Sequence, residues 1–219
     1  MDWLEGAIQA ELISRLEDEG IDPTALSRQE IKDLEGEIAE RIASASNAEA
    51  LVRINKLRQV VGNLKGRAFV QWYLSGQAPP PPIIVWFYFS GKVMKNIMEE
   101  LDAAGVPYVA IDQRTTGPQR AQIVDDFQAG KIPLLLATTA AKEGLTLTRA
   151  NNAFFVERFW TPADETQAED RIWRIGQERP VKITYLHVPQ TIDDYMRDLI
   201  ESKRNTVEQV LGDDDIAKA

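Results

Sequence analysis

The chain has no cysteine. That excludes disulfides and thiolate metal sites. It has one histidine, His187, so an all-histidine metal site is excluded too. His187 itself reads as an ordinary strand residue. No apolar run reaches the length of about eighteen residues that a membrane-spanning helix needs. The start, MDWLEGAIQAEL, is acidic and amphipathic, without the charged start and apolar middle of a secretion signal. A phosphate loop of the pattern GxxxxGK[ST] is missing, since GKVM at 91–94 does not fit it. No DEAH-like acidic box occurs either.

Basic charge also looks scarce, with a net charge of −9 over 219 residues. The deficit is segmental. Residues 1–50 hold 13 acidic and 4 basic side chains, and residues 51–219 hold 21 of each. Without the last twelve residues, 51–207 carry a net +3. The middle of the chain is therefore free to present a basic surface to a polyanion.

Residues 1–78 read as helices, acidic in their first half. Leu4, Ile8 and Leu12 recur every four residues. Ser27 and Glu30 form a capping box ahead of Ile31, Leu34, Ile38 and Ile42. Asn47 fits the start of a third helix with Leu51, Ile54, Leu57 and Val61 on one face. The prolines of GQAPPPP then place a boundary at 79–82.

Past the prolines the rhythm changes. IIVWFYF (83–89), VPYVAI (106–111), IPLLLAT (132–138), NAFFVER (152–158) and VKITYLHV (181–188) are apolar runs of strand length. Helical segments separate them, at 91–105, around 117–129, after 161, and from TIDDYM onward. Strands apolar on both faces and alternating with helices predict an α/β domain over 83–211, a parallel sheet covered on both sides. The acidic end, 212–219, is expected to be frayed and disordered.

Chemistry in such folds gathers beyond the carboxyl ends of the strands. The stretches FSGK (89–92), DQRTT (112–116), ATTAAKEGLTLT (137–148) and ERFWTP (157–162) fall there. Their threonines suit phosphate contacts, or else stabilise turns. After ERFWTP comes QAEDRIWRIGQ (167–177). Thr161, Pro162 and Asp164 predict a capped helix start, and Gly176 a left-handed end. On that helix Gln167, Arg171 and Arg174 share one stripe, and Ala168, Ile172 and Ile175 share a second, buried one. Two guanidiniums on one rigid stripe suit a phosphate. The plainer alternative is a solvated arginine face.

These residues carry a resemblance to a known family. QAEDRIWRIGQ resembles motif VI of superfamily-two helicases, with Trp173 where histidine is usual. LLLATTAAKEGLTLTRANNAFFVERFWTP resembles motif V and its extension, and IIVWFYFS motif IV. RINKLRQVVGNLKGRAFVQWYL resembles the helical lead-in. Together they resemble the second RecA-like lobe of sucrose-nonfermenting-type DNA translocases, most of all the annealing-helicase branch.

The resemblance implies an ATP site shared between two lobes. Arg171 and Arg174 would act as catalytic arginine fingers on the ATP phosphates, positioned by Gln167. Gly144 and Leu145 would shape the nucleotide edge. Mg²⁺ would be held mainly by the first lobe, and no residue here is assigned to metal. Ser90, Arg114, Thr138 and Thr139 would hold duplex DNA phosphates. Trp160 matches a tryptophan near the DNA groove, or is a half-buried aromatic at a strand end. The location implied is intracellular and DNA-associated, with no membrane partner. Gln113, Lys142, Glu143 and Thr146 depart from the family pattern. With no phosphate loop, the chain is expected to be half of a motor. It would be a piece of a longer translocase, or would work with a separate first lobe, and would turn over no ATP alone. The competing reading is a non-catalytic DNA- or protein-binding module.

Overall fold

In the computed structural model, residues 28–141 and 145–216 are described, with side chains over 49–141 and 145–206. Helix α1 runs over Arg28–Leu74. Five strands follow, β1 (Ile83–Phe87), β2 (Val109–Ile111), β3 (Leu134–Thr138), β4 (Asn152–Phe155) and β5 (Lys182–Tyr185). Four helices separate and follow them, α2 (Lys95–Ala103), α3 (Gly117–Gln128), α4 (Pro162–Glu169) and α5 (Ile192–Ile216). A π-helical turn, Ser90–Met94, leads into α2.

The sheet order is β2-β3-β1-β4-β5 and every pairing is parallel. β1, at the centre, is buried along its whole length. Its side chains alternate between two cores. Ile83, Val85 and Phe87 join Phe69 and Val70 of α1 and Ile97 and Leu101 of α2. Ile84 and Trp86 join Phe127 of α3, Phe155 of β4 and Ala168 of α4. Rings lock the second core. Trp86 stacks on Phe155 at 6.0 Å between ring centroids, and Phe155 stacks on Tyr185 at 4.6 Å. The RecA-like parallel sheet with helices on both faces, preceded by helix, is thus the observed fold.

Several expectations shift. The first is that Asn47 does not open a new helix. It lies inside the 47-residue α1, because the surrounding ASASNAEA has no proline or glycine and its alanines favour continuation over a cap. Of the expected face, Val61 is buried and Ile54 half-buried, but Leu51 and Leu57 are exposed. The buried stripe is Arg58, Val61, Lys65, Phe69 and Val70. Two glycines let it approach closely. A Cβ on Gly66 would lie 2.1 Å from Ile97 Cδ1, and one on Gly62 would lie 2.9 Å from Glu157 Oε1.

The chain divides into two compact units between Lys56 and Leu57, so residues 79–82 connect elements within the second unit. The expected helices over residues 1–27 lie outside the described residues. Helix α5 is described through Ile216, and residues 217–219 of the expected frayed end lie outside the described residues. His187 lies two residues past β5, its ring Nε2 at 2.9 Å from Asp194 Oδ1.

Candidate functional site

The strand register brings the predicted loops to one edge. Phe87 of β1 pairs with Thr138 of β3, Ile111 with Ala137, and Trp86 with Phe155. Ser90, Asp112–Arg114, Thr138–Thr139 and Glu157–Trp160 all emerge just beyond those positions. Ser90 and Gln113 bond to each other, the Gln113 amide donating to Ser90 Oγ at 3.0 Å. Gln113, one of the departures from the pattern of the family that the sequence resembles, thus ties two loops together through its side chain. Arg114 is paired with Asp112, donating from Nε at 3.0 Å and from its backbone N–H at 2.8 Å. Burial raises the Asp112 pKa, but the Arg114 hydrogen bonds outweigh it and hold the carboxyl below its usual range. The Arg114 side chain stays 77% exposed, so its charge faces outward.

Thr138 is buried. Its hydroxyl accepts from the Ala140 N–H at 3.3 Å and reaches the Ile111 carbonyl at 3.5 Å. Thr139, half-buried, begins the 3-10 turn Thr139–Ala141. Trp160 is half-buried, with the Arg58 guanidinium 4.7 Å from its ring centroid. Arg58 also lies 4.6 Å from the Tyr88 ring and 5.3 Å from the Phe89 ring. One buried arginine of α1 therefore holds the loop before Ser90 and the one bearing Trp160.

Beneath Arg58 sits Glu157. Its Oε2 accepts the N–H groups of Tyr88 and Phe89 at 3.1 and 3.2 Å. Burial raises its pKa to about 7, against the pull of those two bonds and of the Arg58 and Lys65 charges. A carboxyl with a folded pKa above its ordinary value keeps more protons folded than unfolded. The stability it gives by staying neutral is complete below about pH 4.5 and lost as pH rises to about 7. The melting temperature is therefore expected to fall between about pH 4.5 and 7. Glu157→Gln should flatten that slope in thermal melts across the window; an unchanged slope would show that Glu157 is ionised throughout.

Thr161 caps α4 as predicted, accepting from the Asp164 N–H at 3.2 Å, with Pro162 in the first turn. The helix then stops at Glu169. Gln167, Arg171 and Arg174 are therefore not one helical stripe. The arginines stand on an irregular turn after the helix, where the Arg174 N–H bonds to Ile172 O and the Gln177 N–H to Arg174 O. Gly176 is left-handed, at φ +98°, but it shapes this turn rather than ending α4. Ala168 and Ile172 are buried as predicted, while Ile175 is fully exposed. The helix ends early because Leu147 N–H takes the Arg171 carbonyl at 2.9 Å, drawing the backbone to the loop beyond β3.

That diversion gathers both arginines. Arg171 Nη1 and Arg174 Nη1 each donate to the Leu145 carbonyl at 3.2 Å. Arg174 Nη1 also reaches Thr146 Oγ1 at 3.2 Å, and Arg171 Nε donates to the Gln167 carbonyl at 3.0 Å. Gln167 thus contributes its backbone, and Leu145 its carbonyl. Gly144 lies outside the described residues. The turn lines an open cleft of about 1010 Å³ with Arg171, Trp173, Arg174, Ile175 and Arg179. Trp173 is 72% exposed on it. Among the described residues no group of three or more His, Cys, Asp or Glu could hold a metal ion, and no described helix is long and apolar enough to cross a membrane.

Four residues of this architecture were not legible in the motifs: Arg58, Lys65, Glu157 and Gln177. Arg58 and Lys65 sit at helical spacing with Val61 and Phe69, so charge on an otherwise apolar stripe was the available signal. Glu157 directly follows an apolar strand, and Gln177 directly follows the glycine of its turn.

Residues 66–176 match the helicase conserved C-terminal domain. The chain belongs to that family, as a second RecA-like lobe of the sucrose-nonfermenting type. It is 42% identical over 113 residues to the SWI/SNF-related matrix-associated actin-dependent regulator of chromatin subfamily A-like protein 1 of Xenopus laevis, covering 51% of this chain and 12% of that protein. It is 30% identical over 167 residues to the DNA repair protein RAD5 of Candida albicans, covering 73% of this chain and 15% of that protein. Among solved structures it is similar to the C-terminal part of the Fun30 ATPase domain, with a TM-score of 0.53 and 25% identity over 61% of this chain and 42% of that one. The chain thus spans only 12% and 15% of the length of these two curated relatives.

Proposed function

We propose that this chain is the second motor lobe of an ATP-dependent translocase on duplex DNA. Arg171 and Arg174 reach into an ATP site completed by a first RecA-like lobe. The observation that carries the reading is their convergence on the Leu145 carbonyl at the edge of an open cleft. Two fixed guanidiniums with Nη2 donors left over fit the oxygens of a triphosphate. They would stabilise charge developing on the transferred phosphoryl group. The first lobe would supply the phosphate loop and the carboxylates that hold Mg²⁺, and the ion would neutralise phosphate charge. Leu145 and Gln167 hold the arginines through their carbonyls, and Gly144, which directly precedes Leu145 in the sequence, would shape the nucleotide edge. Ser90, Arg114, Thr139 and Trp160 line the DNA edge. Thr138 acts there by fixing the turn that exposes Thr139.

A non-catalytic binding module is the second reading, favoured by the outward charge of Arg114 at an edge that could grip DNA without ATP. The DNA half is tested by fluorescence anisotropy of the 219-residue chain with a labelled duplex. Arg114→Ala should weaken binding severalfold and reduce the salt slope by about one ion. An unchanged affinity and slope would remove Arg114 from the interface.

A further inference from the structure

We infer that Gln177 is a positioning residue for the two arginines, setting their reach by clamping the turn that carries them to the loop that holds them. The inference rests on the proposed role of Arg171 and Arg174. The Gln177 amide nitrogen donates to the carbonyls of Ala150 at 2.6 Å and Thr148 at 3.0 Å, and lies 3.4 Å from that of Ile172. Its amide oxygen accepts the Arg179 N–H at 3.1 Å. Both ends of this half-buried amide are engaged, so its orientation is fixed from both sides.

The partners matter more than their number. Thr148 and Ala150 belong to the loop whose Leu145 carbonyl receives both guanidiniums. The backbone bond from Leu147 N–H to Arg171 O, at 2.9 Å, joins the same two segments. Leu147 and Ala150 are fully buried beside Ile172. The loop and the turn are thus cross-linked on both sides of the arginines. Arg171 and Arg174 lie on a turn with irregular hydrogen bonding, not on a helix that would fix their geometry alone. Gln177 does what the helix does not.

Loss of the clamp should leave the arginines present but misplaced. A displacement of about 1 Å at a site acting by position costs up to a hundredfold in rate. Ground-state binding of ATP, which the first lobe would dominate, should change little.

The test has two arms and two variants. Gln177→Ala removes the clamp. Gln177→Glu keeps the stem and its packing but sets an acceptor against two carbonyls, and it carries the test where the alanine variant melts early. In the 219-residue chain, amide hydrogen exchange at Leu147 should accelerate at least tenfold in either variant, with β1 and β3 amides unchanged. In the motor formed with the first lobe, kcat for ATP should fall tenfold to a hundredfold, with KM for ATP and Kd for duplex DNA within twofold. If Arg174→Ala abolishes turnover while both Gln177 variants keep kcat within twofold, the clamp is wrong and the arginine reading stands. If Arg174→Ala itself retains turnover, the arginine reading fails and takes the clamp with it. A rise in KM with unchanged kcat would place Gln177 in substrate binding and also overturn the inference.

Discussion

Arg174→Ala is expected to lower ATP turnover by about a thousandfold or more in the two-lobe motor, the scale at which an arginine finger contributes in related phosphoryl transfer. DNA affinity should hardly change, because the Arg174 guanidinium bonds to Leu145 O and Thr146 Oγ1, not to the edge carrying Ser90 and Arg114. Arg174→Lys should recover little. A lysine keeps the charge but loses the planar fork that serves a carbonyl and an anion together. Steady-state turnover with saturating duplex, alongside anisotropy with the same duplex, separates the two effects. Turnover within a few-fold of the parent would show that Arg174 is not a finger.

The second large effect is on folding. Lys65 Nζ donates to Asp193 Oδ1 at 2.9 Å and to the Leu186 carbonyl at 3.2 Å, and both side chains of the pair are under 10% exposed. Asp193 Oδ2 also accepts the Val188 N–H at 2.9 Å. The pair fastens the start of α5 to α1 across the end of β5. Burial pushes the Lys65 pKa below its ordinary value, while its bond to Asp193 pulls it back up. Removing Asp193 would strand a buried ammonium, which costs about 3–5 kcal/mol. Asp193→Ala should therefore shift the urea midpoint of the chain far down. Replacing Lys65 by methionine and Asp193 by leucine together should recover much of the loss, since an apolar pair needs no charge partner. A loss under about 1 kcal/mol for Asp193→Ala would mean that water reaches Lys65.

The fold was largely legible because it rests on patterns that sequence carries openly. Continuous apolar runs such as IIVWF require burial on both faces, and β1 has it. The cap of α4 was legible because Thr161, Pro162 and Asp164 act locally. The end of that helix was not. It is set by a bond between Leu147 and Arg171, distant in sequence, and no local propensity reports such a contact. The same reason hid Gln177, whose partners Thr148 and Ala150 lie more than twenty residues away. The face of α1 was only partly legible because its buried stripe includes two charged residues, Arg58 and Lys65, which interrupt the apolar period. Their long stems pass through the core and their charges meet Tyr88, Trp160 and Asp193.

Legibility of the site was divided in the same way. Ser90, Arg114, Thr139 and Trp160 reach one edge because strand ends in a parallel sheet are set by register, which apolar runs determine. Whether a hydroxyl there faces outward is decided by its neighbours. Thr138 uses its own on Ala140 and Ile111. Arg171 and Arg174, expected on a helical stripe, stand on a turn instead, because α4 ends at Glu169.

The most direct test of the two-lobe account is ATP turnover by the purified 219-residue chain, alone and with a first RecA-like lobe added, each with and without duplex DNA. The account predicts no turnover by the chain alone. It predicts DNA-stimulated turnover once the first lobe is present, lost again in Arg174→Ala. Clear turnover by the chain alone would contradict it, because these residues would then hold a phosphate site of their own.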